Sequence, residues 1–182
     1  VPLCRSSLST IITGRYPHQH GVTGNDPTIP GGVTAAAARK EPLYLRYFQA
    51  TIDGFAKQPN FVRNLTASGY HSLQTGKWWE GDPIKAAGFS DAMTHGTDKG
   101  DRHGGVGLQI GRGGLKPISD FLDNTANRPF LLWYAPMLPH TPHNPPADLL
   151  AKYRKLTDSD PVASYWANVE WFDRTCGELL DN

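Results

Sequence analysis

The sequence predicts an α/β fold, a mostly parallel sheet flanked by helices, and three observations carry that reading. The stretch "PFLLWYAP" at 129–136 is apolar throughout, which suits a strand covered on both faces of a parallel sheet. A helix followed by a short strand occurs twice, at 60–75 and at 118–136, the alternation of an α/β unit. The carboxy-terminal region carries an apolar stripe, Val162, Tyr165, Val169, Phe172, Cys176 and Leu179, at alternating steps of three and four.

Each element has its own local signal. Leu8, Ile11 and Ile12 fall at helical spacing within Ser6 to Thr13 and Gly14 stops them, which places Cys4 at a helix amino terminus. "RYPHQHGVTGNDPTIPGGVT" is dense in turn residues and reads as loop. A helix is expected from Leu45 to Ala56, and another from Asn60 to Ala67, stopped at Gly69. A strand then runs from His71 to Thr75 and ends in Gly76. Residues 95–114 are rich in glycine without a long apolar run and read as loop, followed by a helix from Ile118 to Asn124. "MLPHTPHNPP" is too rich in proline for helix or ladder. In the last helix Cys176 reads as a small buried hydrophobe.

Composition narrows the function classes. With 182 residues and 38% apolar content the chain suits one domain with a real core. Eighteen Lys and Arg against seventeen Asp and Glu give no field that would favour nucleic acid or an anionic membrane. No 18-residue apolar run predicts a transmembrane segment. Two cysteines define no disulfide framework and show no metal-type spacing. The chain opens at Val1 without a signal-peptide pattern, and is expected to be a piece of a longer protein.

Three short segments place related chemistry where open α/β sheets bind ligands, at a helix start or at strand carboxyl ends. They are Cys4 with Arg5, Gly76 with Lys77, and Pro139 with His140. A helix amino terminus, a mobile cation and a proton donor together describe a site for the ester of a tetrahedral oxyanion.

These segments resemble the type I sulfatases, formylglycine-dependent members of the alkaline-phosphatase-like superfamily. Cys4, Thr13, Gly14, Tyr16 and Pro17 keep the register of the family's C-x-P-x-R motif and its following Thr-Gly. Gly69, Tyr70, Gly76, Lys77, Trp78 and Gly81 match a G-K-W-H-x-G motif with its preceding strand, and Pro139, His140 and Pro142 match P-H-x-P. The helix "YWANVEWFDRTCGELLD" is similar to the one that precedes the family's Asp-Asn-Gly strand. The resemblance implies an alkaline-phosphatase-like sandwich, here a partial amino-terminal catalytic domain whose sheet is incomplete, with exposed edges and poor stability in isolation. It implies that Cys4 is converted to formylglycine by a maturation enzyme, that Lys77 neutralises sulfate or leaving-group oxygens, and that His140 binds sulfate or protonates the leaving group. Ca2+ is the implied cofactor, with Cys4 as formylglycine among its ligands and the others outside the chain. The expected substrate is a sulfated small molecule or glycan, and the compartment periplasmic or extracellular.

Departures from the pattern set further expectations. Ser6 takes the motif's proline position and Leu8 its arginine position, which leaves Arg5 as the candidate guanidinium for substrate. Trp79 and Glu80 replace the second motif's histidine and its neighbour, so His143, His95 or His103 would compensate, and Trp78 or Trp79 would stack on a sugar ring. Asn25 and Asp26 are too few for a calcium cage. Two other functions stay open beside sulfatase: a phosphomonoesterase or phosphodiesterase of the same superfamily, and a non-catalytic relative that binds sulfated glycans.

Overall fold

The computed structural model describes residues 3–27, 40–94, 106–125 and 127–181. Helix α1 spans Cys4–Thr13, and a single turn, α2, spans Pro17–His20 inside the stretch expected to be loop. Then follow α3 (Pro42–Ala56), α4 (Phe61–Ala67), β1 (His71–Gly76), α5 (Pro83–Ala87) and β2 (Asp91–Ala92). A 3-10 turn at Val106–Gln109 leads to α6 (Lys116–Thr125), β3 (Phe130–Ala135), α7 (Ala147–Tyr153) and α8 (Asp160–Leu180).

The boundaries follow local chemistry. Gly14, Gly69 and Gly88 sit at positive φ just past helix ends, which glycine adopts without a Cβ penalty. The Asn60 side chain caps α4 by accepting from the Arg63 N–H at 2.8 Å, and Asp82 caps α5 by accepting from Ile84 and Lys85. Pro42 at the first turn moves the start of α3 ahead of the expected Leu45. The first helix likewise begins at Cys4, two residues before the expected Ser6.

The strands form one parallel sheet in the order β2-β1-β3, with Leu73 opposite Leu132 and Gly76 opposite Ala135. Alternation along β3 divides its side chains between two cores. Leu131, Trp133 and Ala135 join a cluster with Ile12 of α1, Phe55 of α3, Val62 of α4 and Trp78. Leu132 and Tyr134 join Ile118 and Phe121 of α6, Ile110 and Leu179 on the opposite face. The sheet is thus covered by helices on both sides, the expected layering. Burial differs between neighbours: β1 is central and buried over Ser72–Gly76, whereas β3 is an edge strand among the described residues and only half-buried. A continuous apolar run here marks two covered faces beside an open edge.

The last helix corrects the expected stripe. Its buried residues are Ala163, Ala167, Asn168 and Thr175, which pack towards α7 and the β3 side, while Val162, Tyr165 and Val169 stay largely exposed. Small side chains permit close approach, so the contact face follows size rather than hydrophobicity. Cys176 is half-buried, and burial pushes its thiol pKa up. Cys4 and Cys176 are both free thiols. Among the described residues no helix is long and apolar enough to cross a membrane.

Candidate active site

The site is built at the carboxyl ends of β1 and β3. Gly76 closes β1 at φ +76°, and a Cβ there would collide with the Ala135 carbonyl. Only glycine allows the two strands to end so close together. The Lys77 N–H then donates to the Ala135 oxygen at 2.6 Å, so the two post-strand loops leave from one fixed point.

Lys77 and His140 meet there. With Pro139, Thr141, His143 and Tyr165 they line an open groove of about 400 Å³. Lys77 makes no ion pair or side-chain hydrogen bond among the described residues. A cation of this kind, half-buried and uncompensated in a groove, attracts an anion. The His140 N–H donates to the Met137 carbonyl at 2.8 Å, which fixes the loop's turn. Its Nδ1 lies 3.0 Å from the Thr141 carbonyl oxygen and 3.1 Å from the Thr141 hydroxyl, so this side of the ring faces the neighbouring residue. His143 packs its ring against Tyr165 of α8, 5.4 Å between centroids.

Arg112, which sequence reasoning missed, holds this loop. Its guanidinium donates to the His140 and Pro142 carbonyls at 2.9 Å each and to Asn144 Oδ1 at 2.7 Å, and lies over the Trp171 ring. One fork therefore staples three points of a proline-rich loop that has no ladder of its own. The available signal was a lone arginine between glycines in "GRGG".

Cys4 is partly exposed in the first turn of α1 and does not line the Lys77–His140 groove. The next residue is tied to the loop that follows Lys77. Arg5 is 1% exposed and donates to both carboxylate oxygens of Glu80, Nε to Oε1 at 2.6 Å and Nη2 to Oε2 at 2.8 Å. Ser9 Oγ donates to Glu80 Oε1 at 3.4 Å, and the Arg5 guanidinium sits 4.5 Å over the Phe48 ring. The expectation that Arg5 offers its guanidinium to substrate is therefore corrected for Nε and Nη2, which are committed to Glu80 inside the protein, while Nη1 is buried without a hydrogen-bond partner. Leu8, at the motif's arginine position, packs against the apolar cluster.

Trp78 is corrected as well. It is 3% exposed, edge-on to Phe55 and Phe89, with its indole N–H donating to the Gly81 carbonyl at 2.8 Å. Trp79 is equally buried, so neither ring offers a face to a sugar. The aromatic ring that does border the groove is Tyr165, about half exposed, which the stripe reading had assigned to the core. His95 and His103 lie outside the described residues.

The residues at hand do not make a calcium site. Among the described residues no three His, Cys, Asp or Glu side chains cluster as metal ligands. Asn25 Oδ1 accepts the Arg5 N–H at 3.1 Å and Asp26 Oδ1 accepts from the Tyr44 hydroxyl at 2.6 Å, so both oxygens already serve protein donors.

A further histidine supports α1. His20 is buried, its Nδ1 accepts from the Val22 N–H at 3.1 Å, and its Nε2 therefore carries the proton that faces Thr10 Oγ1 at 3.1 Å. Burial lowers its pKa, partly opposed by its backbone hydrogen bond.

Comparison with known proteins agrees with the fold. The chain superposes on the crystal structure of Ps i-CgsB in complex with k-i-k-neocarrahexaose with a TM-score of 0.66 and 20% identity, and on Ps i-CgsB alone with 0.65 and 20%. In each case 99% of this chain is covered, and it spans 44% of the other chain's length. No curated protein matches it in sequence. The family model described as Sulfatase matches residues 1–182, and with the parallel sheet and the Gly76–Lys77 and Pro139–His140 segments at its carboxyl ends, the chain belongs to the sulfatase family.

Proposed function

We propose that this chain forms the amino-terminal part of the catalytic domain of a sulfuric ester hydrolase acting on a sulfated carbohydrate. The observation that carries the reading is the pairing of Lys77 and His140 in one open groove, with Tyr165 at its border. An ammonium and an imidazole suit a sulfate ester, and a half-exposed tyrosine offers a flat face to a sugar ring. The complex of Ps i-CgsB with a neocarrahexaose supports a glycan substrate here.

Cys4, as formylglycine, is the nucleophile in this reading. One hydroxyl of its hydrate attacks sulfur, the bond from sulfur to the alkoxy oxygen breaks, and the departing oxygen takes a proton from His140. Lys77 stabilises the charge that builds on the sulfate and leaving oxygens. The second hydroxyl then loses its proton, the carbon-to-sulfate bond breaks, and sulfate leaves as the aldehyde re-forms. Water restores the hydrate. Ca2+ in such an enzyme would draw its remaining ligands from outside this chain.

The test uses the full-length protein coexpressed with a formylglycine-maturation enzyme. Sulfate release from an aryl sulfate, at a rate well above phosphate release from the matching aryl phosphate, is the expected result. Mass spectrometry of the Cys4 peptide should show a loss of about 18 Da, the thiol-to-aldehyde difference. Faster phosphate release would instead support a phosphoesterase. Glycan binding without turnover would support a non-hydrolysing relative.

A further inference from the structure

The Arg5–Glu80 pair lies outside the groove, yet it joins the two segments that the reaction needs in register. Arg5 follows the nucleophile position on α1, and Glu80 lies three residues beyond Lys77. The pair is bidentate, with each partner no more than 3% exposed, and Ser9, one turn further along α1, donates to the same carboxylate. The contact spans 75 positions in sequence. Packing supports the same arrangement: Leu8 and Ile12 of α1 sit in the apolar cluster with Trp78, and Phe48 covers one face of the guanidinium. Leu8 could not make this link, being apolar, and Arg5 on the adjacent face does.

We infer that Arg5 and Glu80 are positioning residues, a buried clamp that fixes Cys4 relative to Lys77. This rests on the reading of Cys4 as nucleophile and Lys77 as the sulfate's cation. An arginine at the motif's usual position would point towards the site. Here the guanidinium has moved to the interior and acts through backbone placement, with a carboxylate in the next motif as its counterpart. The planar fork matters as much as the charge, because two parallel hydrogen bonds fix orientation as well as distance. Loss of the fork should let the first turn of α1 and the loop at 77–81 move apart, and misplacement of that kind lowers turnover far more than binding.

The test is hydrogen exchange and kinetics on the full-length protein with Glu80→Gln, the milder Arg5→Lys, and Phe121→Leu as a control that loosens the opposite core. In both clamp variants, amides of 5–10 and of 77–81 should exchange faster together, by roughly tenfold or more, while α6 and α8 keep their protection. Turnover per folded molecule should fall about 10- to 100-fold with KM little changed, less in Arg5→Lys than in Glu80→Gln. Phe121→Leu should loosen α6 and leave turnover per folded molecule near that of the unmodified protein. Wild-type protection at 5–10 in both clamp variants, or loosening spread equally over α6 and α8, would overturn the inference, as would unchanged turnover. If the unmodified protein releases no sulfate, the functional reading fails, and the exchange result still decides whether the two segments are coupled.

Discussion

The two loops that leave β1 and β3 start from the same point and are held in opposite ways. After β1, Trp78, Trp79 and Glu80 are all buried, and the loop is fixed by packing and by an ion pair in the interior. After β3, residues 140–142 are exposed, and one half-buried arginine holds the loop from outside. Lys77 and His140 are therefore partners with unequal support. The difference shows what each loop can tolerate: an interior clamp gives precision and fails expensively, whereas a surface staple costs little and leaves its loop free to vary.

The largest expected effect tests the interior side. Arg5→Ala leaves the Glu80 carboxylate buried without its partner, and should lower unfolding free energy by about 3–5 kcal/mol in urea titrations. A loss under about 1 kcal/mol would place that pair on the same footing as surface pairs and erase the contrast. Arg112→Ala should cost less, about 1–2 kcal/mol, because its acceptors regain water when it is removed. Limited proteolysis should then cut at 138–144 while 76–81 stays intact. Equal cleavage in both loops would contradict the division.

Acid should find the interior side first. His20 has a lowered pKa in the folded protein, so unfolding binds a proton as pH falls below about 6.5, the ordinary histidine value. Stability contributed by the neutral ring is present above that pH and declines below it. The urea midpoint should drop between pH 7 and pH 5, and His20→Gln should flatten that part of the profile. The smallest effect concerns the surface. Glu170 accepts from Lys152 at 2.6 Å and from Arg174 at 3.0 Å, and these partners pull its pKa down to about 2, with Lys152 the main cause. That contribution is present above about 4.5 and is lost only as pH falls towards 2. Glu170→Gln should shift the thermal midpoint only slightly at neutral pH, and 1 M salt should remove most of the difference.

Strand and helix periodicity found β1, β3 and most helices to within a few residues, because their signals are local. Turn chemistry brought out Gly76 and the Pro139–Pro142 loop, and ordered motifs brought Lys77 and His140 to one groove. What the sequence hid depends on contacts between distant residues. Arg5 looked like a free cation near a nucleophile, and nothing local announced that Glu80 would claim it. Trp78 carried equal signals for core and for sugar stacking, and only the positions of Phe55 and Phe89 decide between them. On the first half of α8 hydrophobicity pointed to Val162, Tyr165 and Val169, whereas the buried residues are Ala163 and Ala167; further along, Leu179 of the stripe does reach the core.

The close approach of Gly76 to Ala135 carries one more consequence. Because the Lys77 N–H is bonded to the residue that ends β3, the separation of the two loop origins is written into the sheet's own ladder. The spacing of Lys77 and His140 at their backbones is thus set by the strands and not by the loops. A loop lengthened beyond His143 would leave those two starting points where the sheet puts them.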